Sequence, residues 1–282
     1  MFSAPDNPTA DRMRTAKSLA CTALGVRDTA QNAVWGYNGR TLSGTTGKAG
    51  AQDWLRLVSE PVDRAQGKLW DGPKTAQDHL PDSIPRPALH RIYDWQDDGH
   101  AYRAELYEHT ALSTVSSSPV LDAELNLPEP WWKELHHALD TLAVVPTDRV
   151  AVREEYIRRA VPEYTGHDVG DSIEWSTSHG DFHWANLTGP ELKIFDWEGW
   201  GIAPVGWDAA QLYVYALQAQ ETAARVRHVL APILDDPRTR AAELTVCAQI
   251  LQAADRTPFY AALAEPVRRH LHGVESAHHS AR

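Results

Sequence analysis

The chain has 282 residues, 43% of them hydrophobic, which is enough to bury a sizeable core in one large domain or two modest ones. Its 38 acidic and 27 basic side chains give a formal net charge of -11, which argues against nucleic acid as a partner and mildly favours cationic ligands. The charged N-terminal segment, the two widely separated cysteines and the lack of a long apolar stretch predict a cytoplasmic protein with no membrane partner, and they leave the oligomeric state open.

The first third of the sequence has the pattern of one helix followed by short strands. Apolar residues at helical spacing that end at Gly25 predict a helix over 8–24. Glycine-punctuated β-type segments follow, with a predicted turn at 47–50 and predicted strands at 34–37, 39–43, 54–58, 88–95 and 102–108. The segment Asp97-Asp98-Gly99-His100 is typical of a hairpin turn between the last two strands. This third is therefore predicted to be a small, mostly antiparallel sheet.

The remainder of the sequence is predicted to be mainly helical. A stretch rich in serine and threonine, 110–119, is typical of a connector between two domains. Beyond it, helical periodicity predicts helices at 131–144, 150–161, 208–220, 223–233, 238–254 and 258–272. We expect an α+β protein with a sheet-rich domain of residues 1–110 and a helical domain of residues 111–282.

The strongest chemical signal lies in the segments Ser178–Leu187, SHGDFHWANL, and Leu192–Glu198, LKIFDWE. They place three oxygen-bearing side chains, Asp181, Asn186 and Asp196, in a loop, strand and loop. Asp196 comes at the end of a short apolar strand, and ligand sites are commonly built on the loops that follow strands. Such oxygen ligands suit Mg²⁺, which leaves its remaining positions to water and phosphates.

This spacing resembles the HGDxxxxN catalytic loop and the following metal-binding aspartate of aminoglycoside phosphotransferases, choline kinases and, with Arg in place of Gly, protein kinases. The resemblance implies a protein kinase-like two-lobed fold, with a small antiparallel-sheet N-lobe that binds ATP or GTP and a larger, mainly helical C-lobe that carries the catalytic loop and the acceptor site. It implies Asp181 as the catalytic base, His179 as the brace of the loop, and Asn186 and Asp196 as the Mg²⁺ ligands. The implied reaction transfers a phosphoryl group to the hydroxyl of a small molecule.

Four residues near this motif have less specific roles. Asp208 would occupy a structural position at a helix start, where N-capping explains it without catalysis. Glu198 either contacts substrate or Mg²⁺ indirectly or is an ordinary solvated carboxylate. His183 and Trp184 are candidates for contact with the substrate or for support of the catalytic loop.

In the N-lobe, kinases of this type carry a strand lysine that contacts the nucleotide phosphates and pairs with a glutamate on the following helix. Arg56 stands in the corresponding slot, keeping the charge but not the geometry of an ammonium group. The sequence leaves its partner open among Asp71, Asp78 and Glu105.

Two further segments are candidates for nucleotide binding. The turn from Gly36 to Gly39 would let the backbone approach the phosphates. The resemblance also implies that the nucleotide base lies near the connector, beside Tyr107 and Glu108.

Three functions follow from these patterns. The first is a kinase for an aminoglycoside, a nucleoside antibiotic or another natural product, acting in antibiotic resistance or self-protection. The second is a non-catalytic kinase-like protein that binds a nucleotide or metabolite, which the arginine in the lysine slot leaves open. The third is a metal-dependent phosphoesterase, because Gly180-Asp181-Phe182-His183 also matches the GDxH metal-binding pattern.

Overall fold

The structure, a computed structural model, describes residues 3–29, 33–48 and 51–280. Residues 49 and 50 of the predicted turn lie outside this range. The chain divides into two compact units: unit 1 comprises Met1–His79 and Arg86–Ala111, and unit 2 comprises Leu80–Pro85 and Leu112–Arg282. Across the described residues, we find no helix with the length and apolar character needed to cross a membrane.

Unit 1 combines two helices with an antiparallel sheet. Its elements are α1 (Asn7–Leu24), β1 (Arg27–Asp28), β2 (Val34–Trp35), β3 (Thr41–Lys48), β4 (Ala51–Pro61), α2 (Lys68–His79), β5 (Leu89–Asp97) and β6 (His100–Glu108). Within the described residues the sheet order is β1-β3-β4-β6-β5, with β2 paired to β3, and every pairing is antiparallel. The predicted sheet is therefore confirmed.

The hairpin between β5 and β6 has the predicted turn. Asp97 pairs with His100, and Asp98 and Gly99 both have positive φ, 43° and 73°. Positive φ at both central residues is the geometry of a type I′ turn, whose twist matches that of the two strands.

One face of the sheet packs on α1. The helix begins at an Asp6 side chain that accepts a hydrogen bond from the Thr9 amide, and it ends at Gly25, which has a φ of 60°. The buried side of the helix and the inward residues of the strands form one core: Met13, Ala16, Ala20, Cys21, Leu24, Val26, Leu42, Leu55, Leu57, Tyr102, Ala104 and Leu106.

The other face of the sheet packs on α2, a helix that sequence periodicity did not predict. Pro73 lies inside this helix and interrupts the helical pattern. Trp70 nevertheless packs against Val58 and Ala101, so burial of the indole stabilises the helix against a weak local preference.

Unit 2 is mainly helical. Its elements are β7 (Ser113–Thr114), α3 (Glu129–Ala143), α4 (Glu154–Thr165), β8 (Trp175–Ser178), β9 (Thr188–Gly189), β10 (Gly201–Pro204), α5 (Trp207–Val214), α6 (Gln220–Val229), α7 (Ala231–Leu234), α8 (Arg240–Ala253) and α9 (Pro258–Ser280). Helix α8 is buried on most sides and packs against α4, α5 and α9. The six segments predicted to be helical contain helices with shifted ends, and the helix predicted at 223–233 is divided into α6 and α7.

The largest shift of a helix start is at α4, which was predicted to begin at residue 150 and begins at Glu154. The amides of Ala151 and Val152 instead donate to the carbonyl of Ile202 in β10. A tertiary hydrogen bond thus replaces the first helical turn, and periodicity does not encode such a bond.

Candidate active site

The catalytic-loop candidate begins where β8 ends, in unit 2. Strand β8 pairs antiparallel with β10, and Ser178, its last residue, lies opposite Gly201. The next residue, His179, leaves the strand and opens the loop. A short two-stranded ribbon therefore sets the position of the motif that the sequence singled out.

His179 is a fully buried brace. Its Nε2 lies 2.8 Å from the carbonyl oxygen of Phe195, and its Nδ1 lies 3.3 Å from the amide nitrogen of Asp181. Nε2–H must donate to the carbonyl and Nδ1 must accept from the amide, so the ring is neutral. Burial lowers the pKa of His179 to about 4, although Asp181 acts in the opposite direction. The side chain thus ties the backbone of Asp181 to the residue that precedes Asp196.

Asp208 holds the same loop from α5. Its carboxylate accepts from the amides of His179, at 2.7 Å, and Gly180, at 3.2 Å. Burial raises the pKa of Asp208 to about 7, against the opposing effect of these two hydrogen bonds. The predicted N-cap role is wrong: Gly206 is the N-cap of α5, and Asp208 lies in the first turn with both oxygens turned to the loop.

Gln211, one turn further along α5, was not singled out by the sequence. Its Oε1 accepts from the Phe182 amide at 2.7 Å, and the residue is almost fully buried. The three amides of His179, Gly180 and Phe182 therefore all donate to side chains of α5. The loop is held on both sides of Asp181 by one helix.

Position 180 requires a glycine for two reasons, its backbone conformation and the lack of space for a side chain. Its φ is 87°, and a Cβ atom added there would lie 2.8 Å from the carbonyl oxygen of Gly199 and 3.0 Å from the Ala151 side chain. A side chain at this position would strain the backbone and push the loop away from its neighbours.

Asp181 differs from its neighbours because its carboxylate is exposed. The side chain is 55% exposed, while His179 and Phe182 on either side are fully buried. Its Oδ2 lies 3.5 Å from Nε2 of His183. Desolvation opposes ionisation, but the hydrogen bond and charge of His183, with a further contribution from His179, lower the pKa of Asp181. An ionised carboxylate thus stands out from a rigid loop.

Asn186 and Asp196 are brought together by the backbone. The Phe195 amide donates to the Asn186 carbonyl at 2.8 Å, which places Asp196 beside Asn186. The Asn186 Nδ2 donates to the Asp181 carbonyl at 3.0 Å, which leaves the amide oxygen as the atom that can ligate a metal. Asp196 is exposed and has a φ of 62°, a left-handed conformation that costs about 1–2 kcal/mol for a residue with a side chain. One amide oxygen and one carboxylate suit Mg²⁺, which takes few protein ligands when phosphates supply the rest.

The structure separates the other predicted residues by exposure. Trp184 is fully buried and donates from Nε1 to the Leu212 carbonyl at 3.1 Å, so it ties the loop to α5. Glu198 lies in a short 3₁₀ turn and is half-buried. Arg149, which the sequence did not indicate, holds this turn by donating to the carbonyls of Glu198 and Trp200.

In unit 1, Arg56 pairs across the sheet with Glu105. The two residues are directly opposite in the β4–β6 register, and Nη1 of Arg56 lies 2.9 Å from Oε2 of Glu105. The Glu105 side chain is 1% exposed and also accepts from the Tyr107 hydroxyl at 3.1 Å. Arg56 therefore pairs with Glu105, one of the three residues that the sequence left open.

The remaining nucleotide candidates lie at opposite ends of β4. The 3₁₀ turn Tyr37–Gly39 precedes β3, whose first residue, Thr41, pairs with Val58, whereas Glu108 pairs with Asp53. Gly39 has a φ of 69°, and an added Cβ would lie 2.6 Å from the Pro5 ring, so contacts inside unit 1 already explain this glycine.

No protein-family model and no curated protein sequence matches the chain. Solved structures do match. A thermostable mutant of aminoglycoside phosphotransferase APH(4)-Ia, in complex with AMP-PNP and hygromycin B, aligns with a TM-score of 0.60 at 12% identity, covering 92% of this chain and 98% of that one. Amicoumacin kinase aligns with a TM-score of 0.58 at 12% identity over 94% and 96% of the two chains. A microcompartment-associated aminopropanol kinase aligns with a TM-score of 0.55 at 11% identity over 89% and 94%.

The chain has the protein kinase-like fold of the small-molecule phosphotransferases. The predicted fold class is confirmed.

Proposed function

We propose that the protein transfers the γ-phosphoryl group of ATP or GTP to a hydroxyl of a small molecule. The observation that carries the proposal is the contrast at Asp181, an exposed and ionised carboxylate on a loop whose backbone is held by His179, Asp208 and Gln211. Phosphoryl transfer needs little covalent chemistry from the protein but strict alignment of the attacking hydroxyl. A rigid loop with one exposed carboxylate meets that need.

Asp181 would accept a hydrogen bond from the acceptor hydroxyl and take its proton as the oxygen attacks phosphorus. Its lowered pKa keeps the carboxylate ionised at neutral pH, so the side chain is ready to accept. Asn186 and Asp196 would hold Mg²⁺, which, when bound, neutralises charge on the phosphate groups.

The nucleotide would bind along one face of the unit 1 sheet. Cross-strand pairing puts Trp54 opposite Tyr107 and Arg56 opposite Glu105, and the alternation of side chains along a strand puts all four on one face. Arg56 would contact the phosphates, while Glu105 fixes its orientation. The aromatic pair Trp54 and Tyr107 suits the base of the nucleotide, and the neighbouring Arg56 suits its phosphates.

The acceptor would be an antibiotic or a related natural product, and the activity would serve resistance or self-protection. The similar structures include enzymes named for amicoumacin and for aminopropanol, and one with hygromycin B bound. The net charge of -11 adds a bias toward acceptors that carry amines.

The test measures ADP or GDP release from Mg·ATP or Mg·GTP, with hygromycin B, amicoumacin and aminopropanol as acceptors. We expect release that requires both an acceptor and Asp181, and Asp181→Ala should lower kcat by about two to four decades while the nucleotide KM stays unchanged. Asp196→Ala should abolish the Mg²⁺-dependent activity.

Three results would contradict the proposal in different ways. Wild-type turnover in Asp181→Ala would remove the base from the mechanism. Nucleotide binding with no turnover against any acceptor would favour the non-catalytic function. Hydrolysis of a phosphate ester without a nucleoside triphosphate would favour the phosphoesterase.

A further inference from the structure

The backbone of Asp196 has a strained conformation that its neighbours must hold. Asp196 has a φ of 62° and a ψ of 59°, and it is the N-cap of the 3₁₀ turn Trp197–Gly199. A left-handed conformation is unfavourable for a residue with a side chain, and it persists only where the surrounding structure holds it. The hydrogen bond from the Phe195 amide to the Asn186 carbonyl holds the residue before Asp196. The conformation therefore also depends on contacts that hold the residues after it.

Arg149 holds the residues after Asp196 from a distant segment of the same unit. Its Nε donates to the Trp200 carbonyl at 3.0 Å and its Nη2 donates to the Glu198 carbonyl at 3.2 Å, so one guanidinium binds the carbonyls on both sides of Gly199. The guanidinium carbon also lies 5.1 Å from the centroid of the Trp200 ring. A planar guanidinium fork holds two acceptors in a fixed geometry, which a lysine ammonium does not reproduce.

The backbone of Arg149 is fixed as well. The Ile202 amide donates to its carbonyl at 2.7 Å, and its own amide donates to Oγ1 of Thr147 at 3.2 Å. A Cβ atom added at Gly201 would lie 2.6 Å from the Arg149 carbonyl oxygen, so the backbones of the two segments are in close contact. The guanidinium therefore extends from a fixed backbone, and its two hydrogen bonds limit the movement of the turn.

We propose that Arg149 is a positioning residue for the complex of metal and nucleotide, because it keeps Asp196 in the conformation in which the carboxylate binds Mg²⁺ together with Asn186. The inference rests on the proposed function and adds to it a residue that acts on a metal ligand through the backbone. The charge of Arg149 has the opposite effect on the metal. A guanidinium repels a divalent cation, so its charge alone would weaken metal binding, whereas its hold on the turn strengthens it.

The experiment measures Mn²⁺ binding to protein saturated with AMP-PNP and, in a second series, with GMP-PNP. Mn²⁺ takes the same oxygen ligands as Mg²⁺, and its free concentration is read from its EPR signal. Arg149→Met removes the donors and keeps an apolar side chain, while Arg149→Lys keeps the charge without the fork. We expect the Kd for Mn²⁺ to rise about 5- to 30-fold in Arg149→Met, since binding must then restore the left-handed conformation. Arg149→Lys should raise it by a smaller factor.

Arg158 provides the matched control. It also donates to two backbone carbonyls, those of Gly170 and Asp171, at 3.2 and 3.0 Å, and these partners lie outside the candidate site. Arg158→Met should leave the Kd for Mn²⁺ unchanged. In acceptor-dependent ADP or GDP release, the Mg²⁺ concentration that gives half the maximal rate should rise in the Arg149 variants. Excess Mg²⁺ should restore their kcat, which it would not do for a purely structural defect.

The outcomes separate this inference from the function on which it rests. An unchanged Kd for Mn²⁺ in both Arg149 variants would overturn the inference, and so would tighter binding in Arg149→Met, the result expected from charge alone. Equal weakening in Arg158→Met, or a fall in kcat that excess Mg²⁺ does not restore, would assign Arg149 a structural role and also overturn it. If Arg149→Met does not fold, Arg149→Lys decides the question.

A failure of the proposed function has a different signature. Wild-type protein that binds no Mn²⁺ with either nucleotide analogue would overturn both the inference and the metal-dependent function. Wild-type Mn²⁺ binding without acceptor-dependent release would contradict the phosphoryl transfer alone, and a raised Kd in the Arg149 variants would then still support the positioning role.

Discussion

Replacing Gly180 with alanine tests whether the candidate catalytic loop is as tightly held as its contacts indicate. Two costs add at this position. The φ of 87° places the residue in the left-handed region, which costs about 1–2 kcal/mol for a residue with a Cβ atom. The new methyl would also lie 2.8 Å from the Gly199 carbonyl oxygen and 3.0 Å from Ala151, and overpacking of this kind costs about 1–3 kcal/mol. We expect a total loss of about 2–5 kcal/mol in the free energy of unfolding.

Gly166→Ala is the matched control. Gly166 ends α4 in the same unit with a φ of 74°, and an added Cβ there has no atom within 4 Å among the described residues. The control therefore carries the conformational cost without the steric one, and the two variants should differ by about 1–3 kcal/mol. Urea unfolding followed by tryptophan fluorescence measures the difference, and acceptor-dependent ADP release should fall only in Gly180→Ala. Equal unfolding midpoints for the two variants would refute the argument that Gly199 and Ala151 confine the loop.

Three further predictions concern the buried polar groups. His179 is neutral in the fold with a pKa of about 4, against 6.5 in the unfolded chain, so its contribution to stability is complete above pH 6.5 and is lost as the pH falls toward 4. Between pH 7 and 4.5, the free energy of unfolding of the wild type, measured by urea unfolding, should fall by about 2.5 kcal/mol relative to that of His179→Gln. Parallel pH profiles of the two proteins would contradict this prediction. Asp208→Ala leaves the amides of His179 and Gly180 without acceptors and should lower the free energy of unfolding by about 2–4 kcal/mol. The control Asp140→Ala removes a largely exposed carboxylate and should lower it by less than about 0.5 kcal/mol. Similar losses in the two variants would argue against the hydrogen bonds from Asp208 to the loop. Glu105→Gln weakens the ion pair that orients Arg56 and should raise the nucleotide KM about tenfold. The control Asp28→Asn weakens the ion pair between Asp28 and Lys17 of α1 and should leave the nucleotide KM unchanged. An unchanged KM in both variants would mean that the Arg56–Glu105 pair takes no part in nucleotide binding.

Much of unit 1 could be predicted because its strands obey local rules. β-type segments punctuated by glycine indicated the long strands, and the sequence of the hairpin at Asp98 and Gly99 matched the turn geometry that was found. Helix α2 was missed because Pro73 breaks the pattern, whereas the packing of Trp70 on the sheet, which stabilises the helix, is a tertiary contact. The sequence left the partner of Arg56 open among three residues. Glu105 lies opposite Arg56 because of the register between β4 and β6, and that register depends on the whole sheet and not on the local sequence.

The sequence by itself determined the kinase-like fold class and the candidate catalytic groups. Asp181 and Asn186 stand five residues apart in one loop, and their short spacing constrains them before any tertiary contact forms. The tertiary structure alone decided what holds the loop: Asp208 binds two of its amides from 28 and 29 residues away, and Gln211 binds a third from 29 residues away. The physical reason is that periodicity and motifs record which residues are buried or polar, whereas the partner of a buried amide or hydroxyl is chosen by the packing of distant segments.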